Sequence, residues 1–555
     1  MKKIYILFIL FFATNLYSQL NFVSTYDQWK SKENHFVEFL DDKDQARVVF
    51  IGSKVFSSDG KGKRPTVSEG MAYGLLLSYA NDDQHLFDKF LRYVIDACNK
   101  YGCVVFTKDK CYHRSFFLMP WMLDYKSEPF YYKPQKDSTD SYFSSGSATD
   151  ADIQIAWALS LAMKRVEKGK WKNNYFRTFF GKADYKNIFY QMVKEIRLYD
   201  IDWDKKIILP GSQWGDAGKN VFFAGYFTPQ AFEALDTAPI VSTSNGFEKE
   251  KNSKAYSLVI QNNSAKKIFV NLEQDNANIH PDFYLIKTEN TNFYWIPPLS
   301  KTRILFIPKN SSSNINIKIA FNNNSKIKAE YTLIAKNQKW DIVKKQFFTK
   351  SDITIQNDRA LITIKDKTFS KLQFSFSEVM INSAQVIKKF QEKHNTGLVP
   401  NILYFDGKYP SKWEKAFSYD AIRYILWTTP FLSKNPHIKG YALLKNVLDN
   451  MTKSLLPFIK KSKNGWTLPP EGINVFTNEA NNGWKHVSPA LNAPVFLYAY
   501  YQKDKALMEK LAPNIENYSI ANKQPSIFDP PNDSSAYYGA CMILIIQAII
   551  EEKLE

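Results

Sequence analysis

The sequence predicts a mainly α-helical protein built as a closed double ring of helices, an (α/α)6 barrel, interrupted by an inserted β-sandwich-like stretch. Three observations lead there. Helical segments alternate between apolar all round and one-sided, the pattern breaks between about residues 243 and 372, and it then resumes. Helices apolar all round are buried on every side, whereas amphipathic ones keep a wet face, so the alternation fits an inner and an outer layer. At 555 residues the chain has room for more than one core.

The elements follow in order. "MKKIYILFILFFATNLYSQ" sets a lysine pair before an apolar run and the small Ser18. This is the layout of a secretory leader, residues 1–18, with cleavage after Ser18. The run is short for a membrane span and nothing later is longer, so the mature chain is expected to be exported, to the periplasm or the medium, with no transmembrane segment. Residues 19–242 hold the first part of the ring: apolar "EGMAYGLLLSYA", one-sided "HLFDKFLRYVIDAC", apolar "ADIQIAWALSLAMKRV" and amphipathic "YKNIFYQMVKEIRLY". From 243 to 372, runs such as "AYSLVIQ", "TRILFIP", "NINIKIAF" and "ALITIK" read as strands, separated by polar turns such as "FNNNSK". One piece of it, "KWDIVKKQFF", reads as a helix. Residues 373–555 return to helices, among them "SEVMINSAQVIKKFQEK", "DAIRYILWTTPFL" and "YYGACMILIIQAII", for roughly eleven candidates in all.

Composition narrows the function. The formal net charge is +18, and between Thr243 and Leu372 there are 21 Lys+Arg against 11 Asp+Glu. The excess lies in that one stretch without a dense basic run or a nucleic-acid motif, so no nucleic-acid partner is expected. Aromatic residues make up 15% of the chain, a share that suits stacking on sugar rings as well as filling cores. The cysteines are Cys98, Cys103, Cys111 and Cys541. Cys103 and Cys111 bracket a possible hairpin, but spacing alone does not fix any pairing. None is spaced with histidines as a ligand set, so no metal or organic cofactor is expected.

Three acids stand at the starts of three apolar helical segments: Glu69 in "TVSEGMAYGLLL", Asp150 in "SATDADIQIAWAL" and Asp420 in "FSYDAIRYILW". Each has a plain reading as a helix cap, and Thr66-x-x-Glu69 fits a capping box. Taken together they say more. If the inner helices run the same way, their N-termini gather at one end and the three carboxyls converge. Paired carboxyls suit glycosidic cleavage, one protonated for the leaving oxygen and one ionised to activate water. Arg423, three residues after Asp420, either holds that carboxyl ionised or makes an ordinary surface pair.

These motifs resemble glycoside hydrolase family 8, inverting enzymes with an (α/α)6 barrel that cut β-1,4-linked glycans. "ATDADIQIAWAL" is similar to the family signature, departing where Val166 replaces an expected Phe or Trp. "GYFTPQAFEAL", "NTGLVPN", "PPEG" and "AYYGACMILI" extend the resemblance to about residues 50–240 and 376–550, and within the family the pattern is most like the periplasmic cellulases that accompany bacterial cellulose synthases. The resemblance implies Glu69 as general acid, Asp420 as general base and Asp150 as the carboxylate that binds and distorts the sugar. It implies sugar-binding roles for Tyr226, Arg423 and Tyr419. Trp214 is a stacking platform or an ordinary core tryptophan, Asp152 a brace for local backbone or a neighbouring helix, and Trp121 a core residue. Gly539 stands where relatives carry a polar residue. The implied substrate is a β-1,4-glucan. Xylan, mixed-linkage glucan and chitosan remain open, as does a non-catalytic glycan-binding scaffold; the basic chain speaks against cationic chitosan.

Overall fold

The computed structural model describes residues 22–32, 36–49, 65–101, 117–129, 146–212, 220–239, 375–516 and 536–554, apart from breaks of one or two residues. It also describes short strands within 105–143 and the strands of 256–365. The leader stretch 1–18 lies outside the described residues. Twelve α-helices occur among them: α1 (Phe22–Lys30), α2 (Ser68–Ala80), α3 (Gln84–Tyr101), α4 (Thr149–Glu167), α5 (Tyr185–Tyr199), α6 (Pro229–Asp236), α7 (Phe376–His394), α8 (Arg423–Lys434), α9 (Tyr441–Leu455), α10 (Pro489–Gln502), α11 (Lys505–Glu516) and α12 (Ala536–Ile550).

Their packing closes a ring. α2 packs on α4, α4 on α6, α6 on α8, α8 on α10, α10 on α12, and α12 returns to α2. A second layer lies outside it, with α3 on α2, α5 on α4, α7 on α6, α9 on α8, α11 on α10 and α1 on α12. Sequence explains which helix takes which layer. α2, α10 and α12 are apolar around their whole circumference and are buried almost throughout, whereas α3, α5 and α9 bury one stripe. The alternation of inner and outer helices along the chain is therefore the connectivity of the double ring. No helix among the described residues is long and apolar enough to cross a membrane.

Between α6 and α7 the described residues are strands. One sheet has the order Ala277–Pro281, Ser300–Pro308, Tyr256–Asn263, Arg359–Lys365, Ser351–Gln356, and a second has Ile286–Lys287, Phe293–Ile296, Ile268–Asp275, Ile315–Asn323, Lys326–Lys336, Lys339–Phe347. All neighbours are antiparallel except Tyr256–Asn263 with Arg359–Lys365. The helix expected over "KWDIVKKQFF" is not there. Lys339–Phe347 is an edge strand paired with 329–336, since pairing with an existing sheet satisfies its backbone more fully than an isolated helix would. Earlier in the chain, Val105–Thr107 and Lys110–His113 form the hairpin expected beside Cys111, while Cys103 lies outside the described residues. Cys98 and Cys541 are buried free thiols.

Candidate functional site

Two of the three acids occupy the same position in their helices. Glu69 is the second residue of α2, which begins at Ser68, and Asp150 is the second residue of α4, which begins at Thr149. Neither helix has a side-chain cap, its N-cap being Val67 or Ala148. The Thr66-x-x-Glu69 capping box does not form. Thr66 and Val67 are instead extended and paired with Leu123 and Met122, and the Thr66 hydroxyl is buried without a partner. Asp420 stands three residues ahead of α8, in a turn closed by Ile422 N–H to Ser418 O (3.0 Å) and Arg423 N–H to Asp420 O (3.2 Å). The capping explanation thus fails for all three.

What they share is Arg423. Its Nη1 donates to Glu69 Oε1 at 2.6 Å and to Asp150 Oδ2 at 2.6 Å, and its Nη2 donates to Asp420 Oδ1. The arginine is buried, so the surface-pair reading is wrong: the residue ties together positions 354 and 273 apart in the chain. Glu69 and Asp420 remain reachable, with side chains 20% and 22% exposed, whereas Asp150 is 4% exposed. Three carboxyls around one guanidinium leave an excess of negative charge that a proton on one of them relieves.

Both part-exposed carboxyls, Glu69 and Asp420, are shifted upward. Burial, opposed by Arg423 and reinforced by the charges of Asp150 and Asp420, pushes the Glu69 carboxyl up to about 7. Its Oε1 also accepts a bond from the Tyr73 hydroxyl at 2.6 Å, which acts in the other direction. Asp420 corrects an expectation. Arg423 does favour its ionised form, but burial outweighs the arginine and moves the carboxyl above its ordinary value.

The surrounding residues hold this geometry. Tyr226 stacks on Phe223 (4.6 Å between ring centres, 20° between planes) and faces the Arg423 guanidinium at 5.5 Å. Tyr419 is half-buried beside Asp420, its carbonyl accepting from the Tyr538 hydroxyl at 2.8 Å. Trp214 lies outside the described residues. Trp121 is half-buried, and its backbone joins two acid-bearing segments, Ser68 N–H to its carbonyl (2.9 Å) and its N–H to Gly146 O (2.7 Å). Asp152 is fully buried behind Asp150, away from Arg423.

Sequence reading missed Tyr73 and Asn401. Tyr73 is four residues beyond Glu69, one helical turn along the same face, a signal that was available in "EGMAY". Asn401, the last residue of "NTGLVPN", braces the Asp420 turn: its Oδ1 accepts from Ser418 N–H (3.1 Å) and Ala421 N–H (3.2 Å), and its Nδ2 donates to Ser418 Oγ (2.6 Å) and Trp413 O (3.1 Å). Gly225 of "GYFTPQ" abuts the same turn so closely that a Cβ there would stand 1.7 Å from Asp420 O.

Comparison with known proteins sets this double helical ring and its carboxyl cluster beside a known family. Residues 45–238, the part of the chain that carries Glu69, Asp150 and Tyr226, match the family model Glycosyl hydrolases family 8. The homology to bacterial endoglucanases is distant. The chain is 29% identical over 178 residues to Endoglucanase A of Acetivibrio thermocellus, covering 32% of this chain and 30% of that protein. It is 32% identical over 210 residues to Endoglucanase C of Ruminiclostridium cellulolyticum, covering 37% and 34%. It thus spans about a third of the length of the curated relatives it matches. The fold is similar to that of a beta-1,3-1,4-glucanase from Paenibacillus sp.X4 (TM-score 0.50, 13% identity, 96% of this chain and 91% of that one). It is also similar to that of a reducing-end-xylose releasing exo-oligoxylanase (TM-score 0.51, 11% identity, 96% and 92%). Asp420 and Arg423 lie beyond the residues that the family model matches, and only the geometry joins them to Glu69.

Proposed function

We propose that this chain is an exported, inverting glycoside hydrolase acting on β-1,4-glucan of the cellulose type. The observation that carries the reading is the Arg423 hub. It gathers a part-exposed Glu69, raised to about 7, with Asp420 and Asp150 at one end of the ring. The distant endoglucanase relatives support the substrate class, and the leader-like residues 1–18 support export.

Glu69 Oε1 already accepts from Tyr73 and Arg423, which leaves Oε2 to carry the acidic proton. That proton passes to the glycosidic oxygen as the bond to the anomeric carbon breaks. Asp420, as base, takes a proton from the water that attacks the carbon from the opposite face. Arg423 bonds both carboxyls, through Nη1 to Glu69 and through Nη2 to Asp420, and so fixes their positions relative to each other. Asp150, fixed by Arg423 and with Oδ1 lacking a partner, is assigned to hold the sugar at the cleavage point. Tyr226, its ring centre 5.5 Å from the guanidinium, would help place that sugar.

The test is reducing-sugar release by the purified mature chain and by Glu69→Gln on carboxymethyl-cellulose, mixed-linkage glucan, xylan and chitosan. NMR would follow the anomeric form of the first product. Release from carboxymethyl-cellulose with inverted configuration, lost in the variant, is the expected result. Release from xylan or chitosan alone would replace the substrate. Glycan binding without turnover by the unaltered chain would leave a scaffold.

A further inference from the structure

A second pair of acids lies directly behind the site. Residues two apart on a helix point to different sides, so the first turn of α4 sends Asp150 to Arg423 and Asp152 inward. There Asp152 meets Asp200, which follows the last residue of α5. Both residues are 0% exposed. All four oxygens are buried, and the neutral donors beside them are the Ser147 and Thr149 hydroxyls, so two carboxylates with no cation between them would be a costly arrangement. With one proton between them each acquires a partner at once, because the two side chains lie within hydrogen-bonding reach.

The pair also sits at a seam. Ser147 N–H donates to Ser212 Oγ (3.0 Å) and Ser212 N–H to Ser147 Oγ (3.3 Å). Thr149 N–H reaches Pro210 O (3.1 Å), and Leu209 N–H reaches Asp200 O (2.7 Å). Gly211 is packed so tightly here that a Cβ would stand 1.9 Å from Ser147 O. The segment leading into Asp150 is thus zipped along 210–212, and the two carboxyls are the side-chain rivet behind the zip.

We propose that Asp152 and Asp200 share one proton as a buried acid pair, and that they act as positioning residues that fix the start of α4, and hence Asp150, against the 200–212 segment. The groups around them do not supply a counter-charge. Asp150 on α4 is taken by Arg423, Glu195 on α5 accepts from Phe117 N–H (3.0 Å), and Tyr199 on α5 and Cys98 on α3 are neutral. Burial pushes both carboxyls up, reinforced at Asp152 by the charge of Asp200 and at Asp200 by that of Glu195.

Asp200→Asn is the decisive variant, because its amide donates to an ionised Asp152 with the same net charge and no proton to lose. Groups raised on folding contribute stability that is complete below their unfolded value and declines as pH rises toward the folded one. In denaturant titrations of the full chain between about pH 5 and pH 8, the unfolding constant of the wild type relative to Asp200→Asn should therefore grow about tenfold per pH unit. The kinetic arm rests on the hydrolase reading. On soluble glucan at about pH 6, below the Glu69 titration, Asp200→Ala should lower kcat at least tenfold with little change in KM, and Asp200→Asn should restore it to within about threefold. A stability ratio that stays flat with pH overturns the shared proton, and wild-type kcat in Asp200→Ala overturns the positioning role. If Asp200→Ala does not fold, the comparison of wild type with Asp200→Asn still decides the first. The expected pH slope without wild-type turnover would sink the hydrolase reading and leave the pair standing.

Discussion

Removing one hydroxyl should move the pH profile by a predictable amount. Tyr73 donates to Glu69 Oε1 at 2.6 Å, beside the Arg423 bond to the same oxygen. A hydrogen bond to a charged acceptor contributes about 1.5–3 kcal/mol and one to a neutral acceptor about 0.5–1.5, so the bond favours ionised Glu69 by roughly 1–1.5 kcal/mol. At 1.36 kcal/mol per unit, Tyr73→Phe should raise the Glu69 carboxyl by about one pH unit from its value of about 7. Glu69 must hold its proton to act as acid, so kcat/KM falls as pH rises through that value. In the variant the fall should begin about one unit higher. The assay is kcat/KM on a soluble β-glucan across the neutral and alkaline range, which reports the free enzyme. An alkaline limb that stays put, or moves down, would refute either the role of Glu69 or the direction of the Tyr73 bond. Glu69→Gln, inactive at every pH, is the control.

Other consequences follow from the same geometry. Arg423→Met leaves three carboxyls without their cation, one of them nearly buried. It should cost about 3–5 kcal/mol in urea unfolding near neutral pH and less in acid, where protonation removes the repulsion. Gly225→Ala places a Cβ against the Asp420 carbonyl, so the turn must shift, and activity should drop at least about 100-fold while circular dichroism still reports a helical fold. Asn401→Ala strips four hydrogen bonds from the turn that presents Asp420; about 2–4 kcal/mol of stability and a larger loss in kcat than in KM are expected. Because the folded-state value of Glu69 is raised, its stability contribution is complete below the unfolded value and is lost as pH rises to about 7. Glu69→Gln should therefore unfold at higher denaturant than the wild type at about pH 8, by roughly 3 kcal/mol, with the gap closing toward pH 4.

How much of this could be read from the chain depended on the range of the interaction. Layering was legible because it is local: a helix such as Ser68–Ala80, apolar on every side, has nowhere to go but the inside of the ring. The strands of 256–365 announced themselves by β-branched alternation, yet Lys339–Phe347 was misread. Lysines at 344 and 345 break its period, and its strand character comes from a neighbour, not from itself. Capping was misread for a related reason. Thr66 has the right chemistry and spacing for a box with Glu69, but pairing with Leu123 holds it extended, and no local rule reports that partner.

The site divides in the same way. That Glu69, Asp150 and Asp420 belong together was legible from their shared place before apolar helices. What converts three acids into one unit was not, because an arginine three residues after an aspartate looks the same whether it lies on the surface or at the hub of a ring. The difference is closure. Once α12 packs back on α2, the N-terminal ends of α2, α4 and α8 face one another, and the Arg423 side chain reaches all three carboxyls within hydrogen-bonding distance. A buried guanidinium then has to be neutralised, and carboxyls crowded around it have to share out the charge. The uneven result, a raised Glu69 beside an Asp150 tightly engaged by the arginine, is what an acid and its supporting carboxylate need. It arises from ring closure, which explains why residues hundreds of positions apart are chemically interdependent and why bracing residues such as Asn401 and Gly225 lie far from the acids in sequence but against them in space.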